Sequence, residues 1–128
     1  MELKKSLGQN FFINENLGNQ IISYISTESC PYVVEIGPGA GFFTMKLKNL
    51  GKELLVIEKD DILAQKLNNE EINVINTDFL NWDFEELENK EVIFFGSLPY
   101  NVSKPIISKI ISSEHFTNNC YFIIQKEV

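Results

Sequence analysis

Gly96-Ser97-Leu98-Pro99-Tyr100 directly follows the apolar run Val92-Ile93-Phe94-Phe95. The set offers a short hydroxyl at Ser97, a backbone carbonyl at Leu98, a rigid proline and an aromatic ring. A loop of this kind at the end of a buried strand holds a flat heterocycle by its face and hydrogen-bonds an amino group at its edge. Pro-Tyr after a strand also serves as a plain turn with a packed ring. The segment Ser97 to Tyr100 therefore takes its force from what lies upstream.

Upstream stand a glycine turn and two acids. In Val33-Val34-Glu35-Ile36-Gly37-Pro38-Gly39-Ala40-Gly41 a strand runs into a glycine turn and then toward a helix. Gly37 and Gly39 let the backbone approach a ligand with no Cβ in the way, and a helix N-terminus behind them favours an anionic group. The spacing GxGxG departs from the dinucleotide fingerprint GxGxxG, and Pro38 does not suit a pyrophosphate cradle. Glu58 closes the second apolar run about 20 residues on, where a carboxylate binds both hydroxyls of a ribose. Asp78 follows the third run and is placed to accept from an adenine amino group. Glu58 pairing with Lys59, and Asp78 capping a turn, are the structural alternatives. Glycine loop, ribose acid and adenine acid together describe a nucleoside with a short charged tail, and S-adenosylmethionine fits that description better than NAD.

The elements that must position these residues are legible as five apolar runs alternating with helical stripes. The expected strands are Tyr32–Ile36, Glu53–Ile57, Ile72–Ile75, Val92–Phe95 and Tyr121–Ile124. Most are continuously apolar, as parallel strands covered on both faces are. Leu17, Ile21, Ile22 and Ile25 make one helical stripe. Phe42, Phe43, Leu47 and Leu50 make a second, with Gly51 as its C-terminal cap. Ile62, Leu63, Lys66 and Leu67 make a third. Ile106, Ile107, Ile110 and Ile111 make a fourth, with Ser103 as cap and Pro105 in the first turn. Glu85–Glu91 reads as a solvated turn or short helix. The alternation predicts an α/β fold with right-handed crossovers and an open, doubly wound, mostly parallel sheet.

Composition narrows the class. The chain has 128 residues, 44% of them apolar and 10 of them Phe, which supports one domain with a true core. No apolar run approaches the roughly 20 residues of a membrane span, and Met1-Glu2-Leu3-Lys4-Lys5 does not open a signal peptide. Cys30 and Cys120 lack CxxC spacing and His115 is the only histidine, so no metal site is expected and the cysteines read as reduced, in a cytoplasmic protein. The net charge is −7 with no arginine, and residues 53–91 hold twelve acids against three lysines. That balance argues mildly against RNA binding by this chain alone. Lys4, Lys5, Lys104 and Lys109 form a small basic patch if the fold gathers them.

Three motifs in order resemble those of the ribosomal RNA small-subunit adenine dimethyltransferase family. They are Leu7-Gly8-Gln9-Asn10-Phe11-Phe12, Glu35-Ile36-Gly37-Pro38-Gly39-Ala40-Gly41 and Leu98-Pro99-Tyr100-Asn101-Val102-Ser103, and Gln125-Lys126-Glu127-Val128 matches a further segment. The opening motif favours the small-subunit branch over the related large-subunit enzymes. The resemblance implies a Rossmann-like methyltransferase domain over residues 1–128. It is expected to be incomplete, lacking the last strands and a C-terminal helical domain. It implies transfer of methyl groups from S-adenosylmethionine to the 6-amino groups of two adjacent adenosines. The partner it implies is small-subunit RNA or an immature small subunit, and the protein is expected to be a monomer. By resemblance, Asn10 and Phe12 line the cofactor pocket. Gly37, with Gly39 beside it, meets the methionine part, Glu58 the ribose and Asp78 the adenine. Ser97 meets cofactor and target base together, Leu98 offers its carbonyl, Pro99 fixes the loop and Tyr100 stacks on an everted adenine. The family carries asparagine at the position of Ser97, and a hydroxyl reaches less far than a carboxamide. A non-catalytic assembly or cofactor-binding remnant, a large-subunit enzyme, and a methyltransferase for another amine are the competing readings.

Overall fold

A computed structural model describes residues 2–39, 41–113 and 119–125, with side chains from residue 15 onward. The chain runs α1 (Glu2–Thr27), β1 (Tyr32–Ile36), α2 (Thr44–Lys48), β2 (Glu53–Ile57), α3 (Asp61–Asn69), β3 (Val74–Ile75), β4 (Ile93–Pro99), α4 (Tyr100–Ser112) and β5 (Cys120–Gln125), with two single 3₁₀ turns at Phe79–Asn81 and Glu85–Leu87. The five strands form one sheet in the order β3-β2-β1-β4-β5, and all four pairings are parallel. From β1 the chain winds outward through β2 to β3, then returns to β4 and winds the other way. The reversal between β1 and β4 is the switch point at which open α/β sheets form a crevice.

Strand periodicity sorts the core onto two faces. Tyr32, Val34 and Ile36 of β1 join Leu55, Ile57, Phe94 and the α4 residues Ile106 and Ile110 on one face. Val33, Ile93 and Phe95 meet Ile22 and Ile25 of α1 and Phe43 and Leu47 beside or within α2 on the other. Gly18 of α1 receives the Phe43 ring, since a Cβ there would lie 2.1 Å from Phe43 Cε1. Gly51 ends the α2 stripe as expected, at φ +79° with its N–H on the Lys48 carbonyl.

Four expectations are corrected. The third stripe is rotated: Ala64 and Leu67 are buried while Ile62 is 81% exposed. The Asp60 carboxylate caps α3 by accepting from Leu63 N at 2.9 Å, which sets the helix phase. β3 begins at Val74, because Ile72 turns back under α3 to pack on Leu67 and Val56. β4 continues through Gly96-Ser97-Leu98-Pro99, so those residues are strand end rather than free loop. α4 then starts at Tyr100, which leaves Ser103 inside the helix with its hydroxyl on the Tyr100 carbonyl at 2.8 Å, and Pro105 inside it as well. Around Glu85–Glu91 the expected short turn is present, but Leu87 is fully buried beneath it.

Candidate active site

The carboxyl ends of four strands enclose a cleft of about 200 Å³ lined by Gly37, Glu58, Asp78, Ser97, Leu98 and Pro99, with Ile57, Phe79, Leu80, Val102 and Ile106 among its apolar walls. That volume is below the roughly 300–1,000 Å³ of drug-sized pockets and accommodates a nucleoside-sized portion of a ligand. Six of the residues singled out in the sequence therefore share one space. Gly39 stands one step back, against Glu58. Asn10 and Phe12 fall on α1, and their side chains lie outside the described residues. Tyr100 is 65% exposed and follows Pro99 directly, outside the cleft wall.

Backbone geometry shapes the glycine turn. Gly37 and Gly39 have φ of +61° and +60°, which an L side chain rarely adopts. Gly37 N–H donates to the Ile57 carbonyl at 2.9 Å, tying the tips of β1 and β2. A Cβ on Gly37 would meet nothing within 4 Å, so the bare backbone faces open cleft.

Glu58 is 6% exposed, with Oε1 accepting from Gly39 N at 3.3 Å and Oε2 from Asp60 N at 2.9 Å. Backbone N–H groups, not the Lys59 ammonium, hold it. Each carboxylate oxygen has a second lone pair, so acceptor capacity remains on a side chain already locked in place. Burial raises its pKa, opposed by the N–H groups of Asp60 and Gly39. Asp78 does cap a turn, taking Leu80 N–H on Oδ1 at 2.9 Å. The cap uses one acceptor site of about four on a carboxylate, and the group still lines the cleft. Asn76 Nδ2 donates to the Glu58 carbonyl at 2.9 Å and so joins the two acidic tips.

Two residues, Glu35 and Gln125, make contacts that the sequence did not announce, and a third, Lys109, departs from its expected place. Glu35 is 2% exposed and accepts from Thr44 Oγ1 at 2.5 Å; burial pushes its pKa to about 8, with nearby Glu58 adding to the rise. As the one charged residue within an apolar strand, it was the signal available. Gln125 Nε2 donates to Ser97 Oγ at 2.8 Å. Lys109 leaves the supposed basic patch: its ammonium donates to the Phe79 and Trp82 carbonyls and lies 5.2 Å and 5.1 Å from the Phe79 and Phe84 ring centroids. The side chains of Lys4 and Lys5, and all of His115, lie outside the described residues. Burial raises the Cys120 thiol to about 11. Among the described residues no three metal-ligand side chains cluster, and no helix is long and apolar enough to cross a membrane.

Residues 1–128 match the family described as Ribosomal RNA adenine dimethylase. The chain belongs to this family. It is 37% identical over 129 residues to Ribosomal RNA small subunit methyltransferase A of Metamycoplasma arthritidis, covering 98% of this chain and 49% of that protein. It is 36% identical over 133 residues to the protein of the same name from Francisella tularensis subsp. tularensis, covering 98% and 51%. The chain thus spans about half the length of the curated relatives it matches. A dimethyladenosine transferase from Plasmodium falciparum superposes with a TM-score of 0.61 at 26% identity, over 77% of this chain and 37% of that one. The 23S rRNA methyltransferase ErmE superposes at 0.58, also 26% identical, over 83% and 43%. The sequence relatives carry the small-subunit name that the opening motif implied. The Rossmann-like sheet of this family of methyltransferases is shared with both solved structures.

Proposed function

We propose that this chain is the cofactor-binding part of an adenine dimethyltransferase acting on small-subunit ribosomal RNA in the cytoplasm. One observation carries the reading: Gly37, Glu58 and Asp78 converge on a single cleft with Ser97, Leu98 and Pro99. S-adenosylmethionine supplies, when bound, an activated methyl group on a sulfonium. The donor set suits such a molecule. Two carboxylates at the tips of β2 and β3 accept from ribose hydroxyls and an adenine amino group, apolar side chains flank the ring, and bare glycine backbone meets the tail. Asn10 and Phe12 are proposed to close this pocket from the N-terminal helix.

The residues of β4 do the remaining work. An adenine amine is a weak nucleophile because its lone pair is delocalised into the ring. Ser97 Oγ and the Leu98 carbonyl accept its two N–H groups and aim the nitrogen. Pro99 stiffens the backbone, and the exposed Tyr100 ring stacks on a base swung out of its helix. Alignment of this kind is worth on the order of 7–11 kcal/mol at best, and the same acceptors stabilise positive charge developing on nitrogen.

Calorimetry with S-adenosylmethionine tests the cleft. The parent chain is expected to bind, and Glu58→Ala to weaken binding about a hundredfold, since hydrogen bonds to a charged group are worth about 1.5–3 kcal/mol each. A near-parental affinity in Glu58→Ala would refute the assignment. Methyl transfer to immature small subunits then separates an enzyme from an assembly factor.

A further inference from the structure

Ser97 and Gln125 stand on one face of neighbouring strands. In the parallel β4–β5 register Ser97 is opposite Ile123 and Pro99 opposite Gln125. Alternation places Ile123 and Gln125 on the same side, so Gln125 reaches Ser97 along the diagonal. The contact is a hydrogen bond from Nε2 to Oγ of 2.8 Å. Both residues are half-buried, and Ser97 lines the cleft.

A serine hydroxyl is a poor aiming device by itself. It rotates freely and offers one donor and two acceptor lone pairs. A target amine needs an acceptor in a fixed direction, and a hydroxyl presenting its proton there would repel the amine N–H. The Gln125 amide occupies one lone pair of Ser97 and so restricts where the other points. The next strand thus supplies a planar amide that fixes the hydroxyl.

We propose that Gln125 is a positioning residue that orients the Ser97 hydroxyl to accept an N–H of the target adenine amine. The inference rests on reading the cleft as a methyltransferase site.

The test uses four proteins: the parent, Gln125→Met, Ser97→Asn and the double variant. Calorimetry with S-adenosylhomocysteine comes first: Gln125→Met is expected to match the parent within about twofold, and the double variant to match Ser97→Asn within the same margin. Adenosine is then titrated into each protein saturated with that nucleoside. Gln125→Met is expected to weaken adenosine binding about fivefold in the Ser97 parent, the effect of one hydrogen bond. In the Ser97→Asn background the same change is expected to cost less than about twofold, because asparagine provides its own oriented acceptor. Equal losses in both backgrounds, no loss in either, or no adenosine binding by the parent overturns the proposal. So does a Gln125→Met protein whose S-adenosylhomocysteine affinity falls along with its adenosine affinity, which marks plain structural support. A parent that fails to bind S-adenosylhomocysteine at the first stage sinks the cofactor cleft itself and the proposal with it. If Gln125→Met does not fold, Gln125→Glu, which cannot donate to Ser97 when ionised, is read by the same criteria.

Discussion

Glu35 is the charged member of a strand that is buried along its whole length. Its folded-state pKa rises from 4.5 to about 8, so across that window the native chain holds a proton that the unfolded chain has released. Stability must therefore fall as pH rises through the window. Below it both states are protonated, and above it the full cost of a buried carboxylate is present. Glu35→Gln keeps an acceptor for the Thr44 hydroxyl and removes the charge. Relative to the parent, its unfolding free energy is expected to rise by on the order of a few kcal/mol between the two ends of the window. Urea denaturation at pH 5 and pH 8 reads the difference, and a gap that does not change with pH would remove the raised pKa from the account. Burial raises the Glu58 pKa as well, but there backbone N–H groups oppose the rise and hold the carboxylate in place at the cleft.

The packing of α1 against α2 depends on Gly18. Replacing glycine by alanine within a helix ordinarily gains about 1 kcal/mol. Here the new methyl would meet the Phe43 ring, which is 2% exposed and set edge-on to Phe95 at 5.6 Å between centroids. The ring has nowhere to go, and overpacking of this kind costs about 1–3 kcal/mol. Sterics outweigh propensity, so Gly18→Ala is expected to lower the urea midpoint by the equivalent of about 1 kcal/mol. A stabilised variant would show that α1 shifts readily on the sheet. The turns after β3 are held in a comparable way, with Phe79 and Phe84 set edge-on to Phe94, Trp82 tilted against both, and Lys109 from α4 over the Phe79 and Phe84 rings. Phe84 sits at φ +61° within this cluster, a conformation that costs on the order of 1–3 kcal/mol and that ring burial offsets.

Cofactor binding links the cleft to the stability of the fold as a whole, because its walls come from the tips of four strands. A ligand that binds only the folded state at a hundred times its dissociation constant adds about 2.7 kcal/mol. For a domain of this size that corresponds to about 10 °C in Tm. S-adenosylhomocysteine at that excess is expected to produce such a shift in the parent and little in Glu58→Ala at the same concentration. Equal shifts in both would place the binding elsewhere. The acidic stretch of residues 53–91 contributes Glu58 and Asp78 to the cleft wall, and Lys109 is committed to carbonyls rather than to a basic surface.

The strands and the glycine turn were legible because their causes are local. A parallel strand covered on both faces needs an unbroken apolar run, and a tight turn at positive φ needs glycine, so Tyr32–Ile36, Glu53–Ile57 and Gly37 to Gly41 could be read without neighbours. The acids at 58 and 78 were placed by the strand ends they follow. The phase of α3, the burial of Leu87 and the extension of β4 were not legible, since each depends on which surface lies opposite. Ile62 and Leu67 look alike as side chains, and only the Asp60 cap and the sheet beneath decide which is buried. The Ser97–Gln125 contact belongs to the same class. The two are 28 positions apart in the chain, and their meeting depends on β5 docking beside β4 in a register that the whole sheet sets.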